Sequence, residues 1–561
     1  MCALGAAAAL ATPTAPLTAQ APGQVADSLP PGRVLVRDPV YEVLDGVLVT
    51  LGSPDDERRR LGQLLGTDST PGTLLRSPST LSAALAARSR LVRVHLLYPE
   101  LRTTRNGALP TADPSDGALW AGRGISVLAR AGLAARIGRV SLVVVPELTR
   151  SQNLGFQSTP AGPSGQFPST GSYAAEWFSR PPYSVDLPVR FGDVRYATIG
   201  FGQSSLAVDV GPTAIGFSTE NQWWGPGVQN ALLMGSAAEG VPQGFVRTRR
   251  PLRTAIGDVE ARWLVGGLTA SRWFRNNAPL EPRSLSGAVA TLRLRAAPGL
   301  TVGAARLVLD AVPTSGRIAG RAFDVFTRND NLGAGDTLPT RRDTDQLTSV
   351  FARWVFPESG TEAYAEIARQ ELPRSLRDFF LAPLNTGAYT LGLAQAWRVR
   401  GNGAVVGRLE TTSLEQTRTF TDRPPPPDFY TGRAAYEGFT NRGQPLGAAI
   451  GPGSSSQWAA VDWLGERAHL GLFARRVRYQ NDALFRVFLA NLSRHDVAVG
   501  GGVRGGWRLA GWDARAELGL SKRMNYLFQN GAAYTFGVGT VDVQNLTLSL
   551  DVSPRAPRVR R

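Results

Sequence analysis

The chain has 561 residues, 62 of them glycine, with 19% charged residues and a formal net charge of +16 carried almost wholly by arginine. Its single cysteine, Cys2, excludes a disulfide framework. No run of 18 or more apolar residues follows the N-terminus, which excludes membrane-spanning helices. The arginine excess fits attraction to acidic polysaccharide or lipid phosphate as well as a plain arginine preference. No nucleic-acid-binding motif accompanies it. A chain this long forms either several soluble domains or one closed barrel of many strands.

Residues 1–21 are rich in Ala and Leu and end in Ala19-Gln20-Ala21, a small-x-small cleavage site, so they read as a secretory signal. Residues 22–115 read as a leader and a small helical section. Asp38-Pro39 opens one helix, with Val40, Val43, Leu44, Val47, Leu48 and Leu51 at helical spacing. Ser53-Pro54 caps a second that runs through Leu65, and Ser77-Pro78 opens a third. These helices are expected to pack as a cap over a barrel.

From residue 116 to 552 the period is two. Residues 125–135 and 140–148 form a first hairpin. Leu206, Val208 and Val210 alternate with Ala207 and Asp209, then Gly211-Pro212 turns the chain into 214–218. Further strands follow at 256–265, 285–296, 301–310, 348–356, 362–370, 389–399, 404–414, 458–464 and 468–479. The clearest alternations lie at 512–520 and 545–552. Ten-residue segments with one apolar and one polar face are the mark of transmembrane strands. Arg293, Arg295, Arg515 and Glu517 should face a polar lumen, because an arginine against lipid costs about 2–4 kcal/mol at the midplane. Residues 151–183, 311–346, 419–455, 480–494 and 523–539 are too long for idle turns. They are expected outside the cell or folded into the lumen to close it, with 151–183 a connection, a plug or part of a binding surface. Residues 553–561 read as a basic tail.

Residues 218–227 read STENQWWGPG. Two adjacent tryptophans in a strand point to opposite faces, and Gly-Pro-Gly ends any ladder. With DGALWAGRG (116–124), PELTRSQN (146–153), VDLPVRFGD (185–193) and FTNRGQPLG (439–447), this segment resembles the capsule assembly protein Wzi family of outer-membrane β-barrels. The resemblance implies an all-β transmembrane barrel of about 18 antiparallel strands with a small periplasmic α-helical section. It also implies an outer-membrane location and a lectin-like, non-catalytic role in attaching capsular or other surface polysaccharide. The expected partners are that polysaccharide and outer-membrane lipid, with no nucleic acid, and the expected state is a monomer.

Trp223 and Trp224 are either a barrel-rim anchor or a platform on which sugar rings stack. Glu220, Asn221 and Gln222 either tie down the turn before Gly225, Pro226 and Gly227 or bond sugar hydroxyls. Arg341, Arg342, Tyr430, Arg433, Tyr436 and Arg442 are the expected glycan contacts from the long loops. His95, His469 and His495 stand at no metal-binding spacing, so neither metal nor cofactor is expected. Glu362 and Glu366 share a strand face, an arrangement that lumen arginines explain better than glycoside hydrolysis does. The first rival reading is a porin or substrate-specific channel, and the second is a membrane-embedded enzyme acting on glycan or lipid, to which no residue constellation points.

Overall fold

The computed structural model describes residues 48–68, 74–82, 93–156, 184–274, 281–327, 344–372, 376–381, 383, 385–399, 403–416, 428–487, 495–509, 511–528 and 542–554. Two short helices come first. Helix α1 (Pro54–Leu64) starts where Ser53 accepts the Asp56 N–H and Pro54 takes the first position, as expected. Helix α2 (Pro78–Leu81) carries a Ser77/Thr80 capping box. The helix expected from Asp38 to Leu51 lies largely outside the described residues, and its end, 48–52, is an irregular segment and a turn.

The described residues then form a closed antiparallel barrel of 18 strands. The first six are β1 (Arg93–Asn106), β2 (Gly124–Ile137), β3 (Val140–Val144, continuing as Glu147–Ser151), β4 (Tyr196–Gly200, continuing as Ser205–Val210), β5 (Thr213–Ser218) and β6 (Gln243–Thr248, continuing as Leu252–Arg253). Next come β7 (Gly257–Leu268), β8 (Arg283–Leu294), β9 (Leu300–Ala311), β10 (Asp345–Phe356), β11 (Thr361–Gln370) and β12 (Gly387–Val399). The last are β13 (Gly403–Ser413), β14 (Ser455–Leu464), β15 (Ala468–Tyr479), β16 (Asp496–Leu509), β17 (Trp512–Met524) and β18 (Val543–Pro554). Strand β18 pairs with β1 from Leu101↔Val552 to Asn106↔Thr547, so the sheet has no free edge.

The alternation works as lipid requires. In β4, Leu206, Val208 and Val210 are exposed while Ser205, Ala207 and Asp209 are buried. Leu391, Leu393, Val461, Trp463, Leu470, Leu472, Leu518, Leu520, Leu546, Leu548 and Leu550 continue the exposed apolar face around the wall. A closed sheet with this outer belt is a transmembrane barrel. Short turns such as Gly138-Arg139 and Gly211-Pro212 lie at one end, and the long connections lie at the other. Loop length places the short-turn end in the periplasm.

Four expectations are corrected. The barrel begins at Arg93, upstream of the expected boundary at 116. Strand β1 escapes notice because its register shifts between Leu97 and Glu100, around Pro99, and the alternation breaks there. The lumen is only partly polar: Leu264, Leu268, Leu285, Val289, Leu307, Leu309, Leu347 and Phe351 of the wall point inward into an apolar core. Some charges face outward. Arg306 donates to the Val325 and Thr327 carbonyls and to Gln346, and Asp310 pairs with Arg321. The described part of the 311–346 connection folds back over the outer wall of β7–β9 and shields these groups. There Trp263 bonds the Ala322 carbonyl and packs on Phe323. Finally, α1 does not sit over the barrel as a cap. It enters the short-turn mouth and lays Leu64 against the inward Ala394, Ala396 and Val406.

Candidate functional site

The segment after β5 turns into the lumen. Residues 219–242 and 428–450 pack on each other and on the inner wall of β6–β13. Trp224 is 1% exposed, Leu232 and Leu233 are fully buried, and Phe429, Tyr430 and Phe439 close over them. Burying this many large side chains, each contributing roughly 1.5–3 kcal/mol, makes the plug a second core inside the barrel.

Polar groups set the plug's position. Glu220 accepts the Ser79 N–H and hydroxyl of α2, both at 2.8 Å. The Asn221 N–H donates to the Gln203 side-chain oxygen, the Gln203 side-chain amide donates back to Asn221 Oδ1, and the Asn221 side-chain amide donates to the Ala238 carbonyl. Leu75–Arg76 pairs with Trp223–Trp224 as a two-residue ladder. The Trp224 indole donates to Gln222 at 3.0 Å, and the Trp223 indole donates to the Gly227 carbonyl at 3.1 Å. Gly225 has φ +103°, and a Cβ there would meet the Glu366 carboxylate at 2.8 Å, so only glycine fits.

Wall carboxylates clasp the plug's backbone. Glu410 of β13 accepts the consecutive N–H groups of Val228, Gln229 and Asn230 at 2.6–3.1 Å, and the Tyr364 hydroxyl at 2.8 Å. Asp345 of β10 does the same for Arg433, Ala434 and Ala435. Successive N–H groups turned toward one anion form a nest. Glu366 accepts the Leu232 N–H. Glu362 instead pairs with Arg353 of the wall and Arg60 of α1. The strand-face pair is therefore split between two structural tasks.

The five short segments meet at this plug. Gly117 N–H donates to the Ser236 carbonyl, Gln203 bridges Glu147 and Asn221, and Asp186 N–H donates to the Glu437 carbonyl. Gln444 reaches the Leu119 carbonyl. Arg442 and Gly443, both at positive φ, form the turn of the Thr440–Asn441/Gln444–Pro445 ladder. Asp186 accepts the Ser271 N–H and hydroxyl, and burial pushes its carboxyl up to about 6 against those two bonds.

Between plug and wall β13–β18 a cavity of about 270 Å³ remains, lined from His469 and Arg515 near the short turns to Tyr479 and Arg523 near the long loops. Arginines dominate it. Burial raises the Glu57 carboxyl, but Arg504, Arg408 and Arg515 outweigh burial and hold it below its ordinary range. Trp223, Trp458 and Phe473 supply its aromatic surface.

No protein-family model matches the chain, and no curated protein matches its sequence. Solved structures match its fold. The chain is similar to Wzi of Escherichia coli, described as an outer-membrane protein involved in group 1 capsule assembly and a carbohydrate-binding β-barrel. The match covers 91% of this chain and 96% of that one at 12% identity, with a TM-score of 0.50. OccAB2 of Acinetobacter baumannii (9% identity, 81% and 97% covered, TM-score 0.38) and OccK2 of Pseudomonas aeruginosa (10%, 82% and 97%, 0.37) also match. At these identities the likeness is one of fold.

The chain is an outer-membrane β-barrel.

Within the barrel, the expected site residues fall into three groups. Glu220 to Gly227 are all buried. The rim-anchor reading fits neither tryptophan, because both lie inside the lumen; Trp224 is packed in the plug core, while Trp223 borders the cavity. Tyr430 is likewise corrected: it is fully buried, and its hydroxyl donates to the Leu232 carbonyl and accepts the Ala448 N–H. Arg433, Tyr436 and Arg442 keep partial exposure near the long-loop end, with Arg442 paired to Glu239 at 3.2 Å. Arg341 and Arg342 lie outside the described residues. Nothing in the sequence marks the wall carboxylates as plug clasps or the luminal arginines as cavity lining. Single inward Asp, Glu or Arg residues look the same in sequence whether they meet water or another segment.

Proposed function

We propose that this barrel binds surface polysaccharide, capsular where the cell makes a capsule, and helps attach or assemble it at the cell surface without making or breaking a bond. The observation that carries this reading is the folded plug, which replaces an open bore along β6–β13 and is fixed to the wall by Glu410, Glu366 and Asp345. A barrel filled in this way suits a scaffold for external loops better than a conduit. Support also comes from the arginine-rich composition, which suits acidic polymers. The fold shared with a carbohydrate-binding barrel points the same way. Arg433, Tyr436 and Arg442, with Arg341 and Arg342, are the proposed outer contacts, and the monomer is the proposed working unit. The carboxylates Glu362 and Glu366 are committed to structure, which supports a non-catalytic role.

Deleting the gene and measuring polymer on cells against polymer in the medium tests this. The proposal expects polymer to move into the medium, and unchanged retention on cells contradicts it. A second reading, a channel for anions, is favoured by one feature: the arginine-lined cavity follows the wall from near the short turns to near the long loops.

A further inference from the structure

Seven of the eight arginines lining the luminal cavity already lie on a carboxylate. Arg60 has Glu362, Arg76 has Asp56, Arg102 and Arg515 share Asp551, Arg408 and Arg504 share Asp462, and Arg523 has Asp496. Arg475 of β15 is the exception. Among the described residues it makes no hydrogen bond and no ion pair, yet its side chain borders the cavity and is only partly exposed. Glu517, in the same cavity, acts on it only through space. A guanidinium in a confined space with no hydrogen bond of its own keeps its donors for a bidentate anion.

The ground near Arg475 is floored by glycines, crowded at Gly500 and open at Gly519. Its neighbour across the ladder is Gly500, and Gly519 faces the same space one strand further on. A Cβ at Gly519 would find only ordinary contacts, Phe473 Cζ at 3.8 Å and Thr547 Cβ at 4.0 Å. Phe473 therefore offers a ring beside a floor without side chains. Ser521, Thr547 and Ser549 form a hydroxyl row along the far side, and Glu517 lines the same cavity. One cation without a hydrogen bond or close ion pair, an aromatic ring, a glycine floor and a row of hydroxyls form a set that matches a single sugar bearing a carboxylate.

We propose that this hollow seats one uronic acid residue, with its carboxylate on Arg475, its C–H face on Phe473 and its hydroxyls along Ser521, Thr547 and Ser549. The inference rests on the glycan-binding reading and deepens it by naming the sugar class. A uronate can arrive free or as a residue of a polymer, and both present the same chemistry to Arg475.

Calorimetric titration of the purified full-length barrel in detergent micelles tests the site, using D-galacturonate, a galacturonate trisaccharide and D-glucose. The site predicts binding of galacturonate but not of glucose, and a weakening of about tenfold or more in Arg475→Gln, the range for losing a charged hydrogen-bond partner. Gly519→Leu, which fills the floor, predicts the same loss, and heat-dependent gel mobility verifies that both variants fold. Binding of the trisaccharide as well assigns the seat to a polymer residue, whereas binding of galacturonate alone assigns it to the free sugar. Equal galacturonate affinity in wild type and both folded variants overturns the proposal, as does equal affinity for glucose. Polymer retention on cells separates the two readings. Normal uronate binding by R475Q with retention that depends on the gene removes only the luminal seat. Uronate binding lost in R475Q with retention indifferent to the gene removes only the attachment role.

Discussion

Glu410 and Asp345 show how much one inward carboxylate can organise. Each accepts three successive backbone N–H groups that no ladder satisfies. Glu410→Ala would leave those donors and the Tyr364 hydroxyl without their acceptor, at a cost of roughly 1–3 kcal/mol for each donor that stays dry. We expect a clearly lower melting temperature and faster proteolysis within 219–242, with the barrel strands intact by circular dichroism. Asp186 makes a different prediction. Its folded pKa of about 6 lies above the ordinary carboxyl value because it is buried. Between about pH 4 and pH 6 the folded chain therefore binds more protons than the unfolded chain, and stability falls as pH rises through that window. Amide exchange over 184–192 should be slower at pH 5 than at pH 7.5, after correction for intrinsic rates, and Asp186→Asn should flatten the difference.

At the scale of elements, what could be read from the sequence depended on what each face meets. The β4–β5 hairpin was legible because one face meets lipid and the other meets polar chain, so Leu206, Val208 and Val210 stand out against Asp209. The Ser53 cap of α1 was legible because capping is local chemistry. Strand β1 was not, because Pro99 interrupts its pleat. The inner halves of β7–β10 alternate poorly because protein replaces water in the lumen there, so Leu264 and Leu347 sit where a porin-like pattern expects polar groups. The 219–242 segment has no periodicity because its contacts come from strands far away in the chain. The tryptophan pair was visible, but its direction was not. Helix α1 carries its own prediction. It is tied into the mouth by Arg60–Glu362, by Arg353 to Gln63 at 2.6 Å and by Leu64 in its apolar seat. Leu64→Ala should cost about 2–5 kcal/mol of docking. Combined with Arg60→Ala, it should expose the helix to protease while the barrel still migrates as a folded species.

As a whole molecule, the barrel solves two burial problems with one sheet. Its outer belt faces lipid, and much of its inner face serves as the shell of a soluble-type core built from 219–242 and 428–450. The short-turn mouth is held by α1, the opposite end carries the long connections, and a basic cavity is left along β13–β18. Attachment of polysaccharide and passage of anions would use this same body differently, and they part over whether the plugged lumen carries current. The direct measurement is current across a planar bilayer holding the purified wild-type chain. The account predicts a baseline trace without discrete openings. Regular open steps carried by anions would contradict it and make the basic cavity a pore.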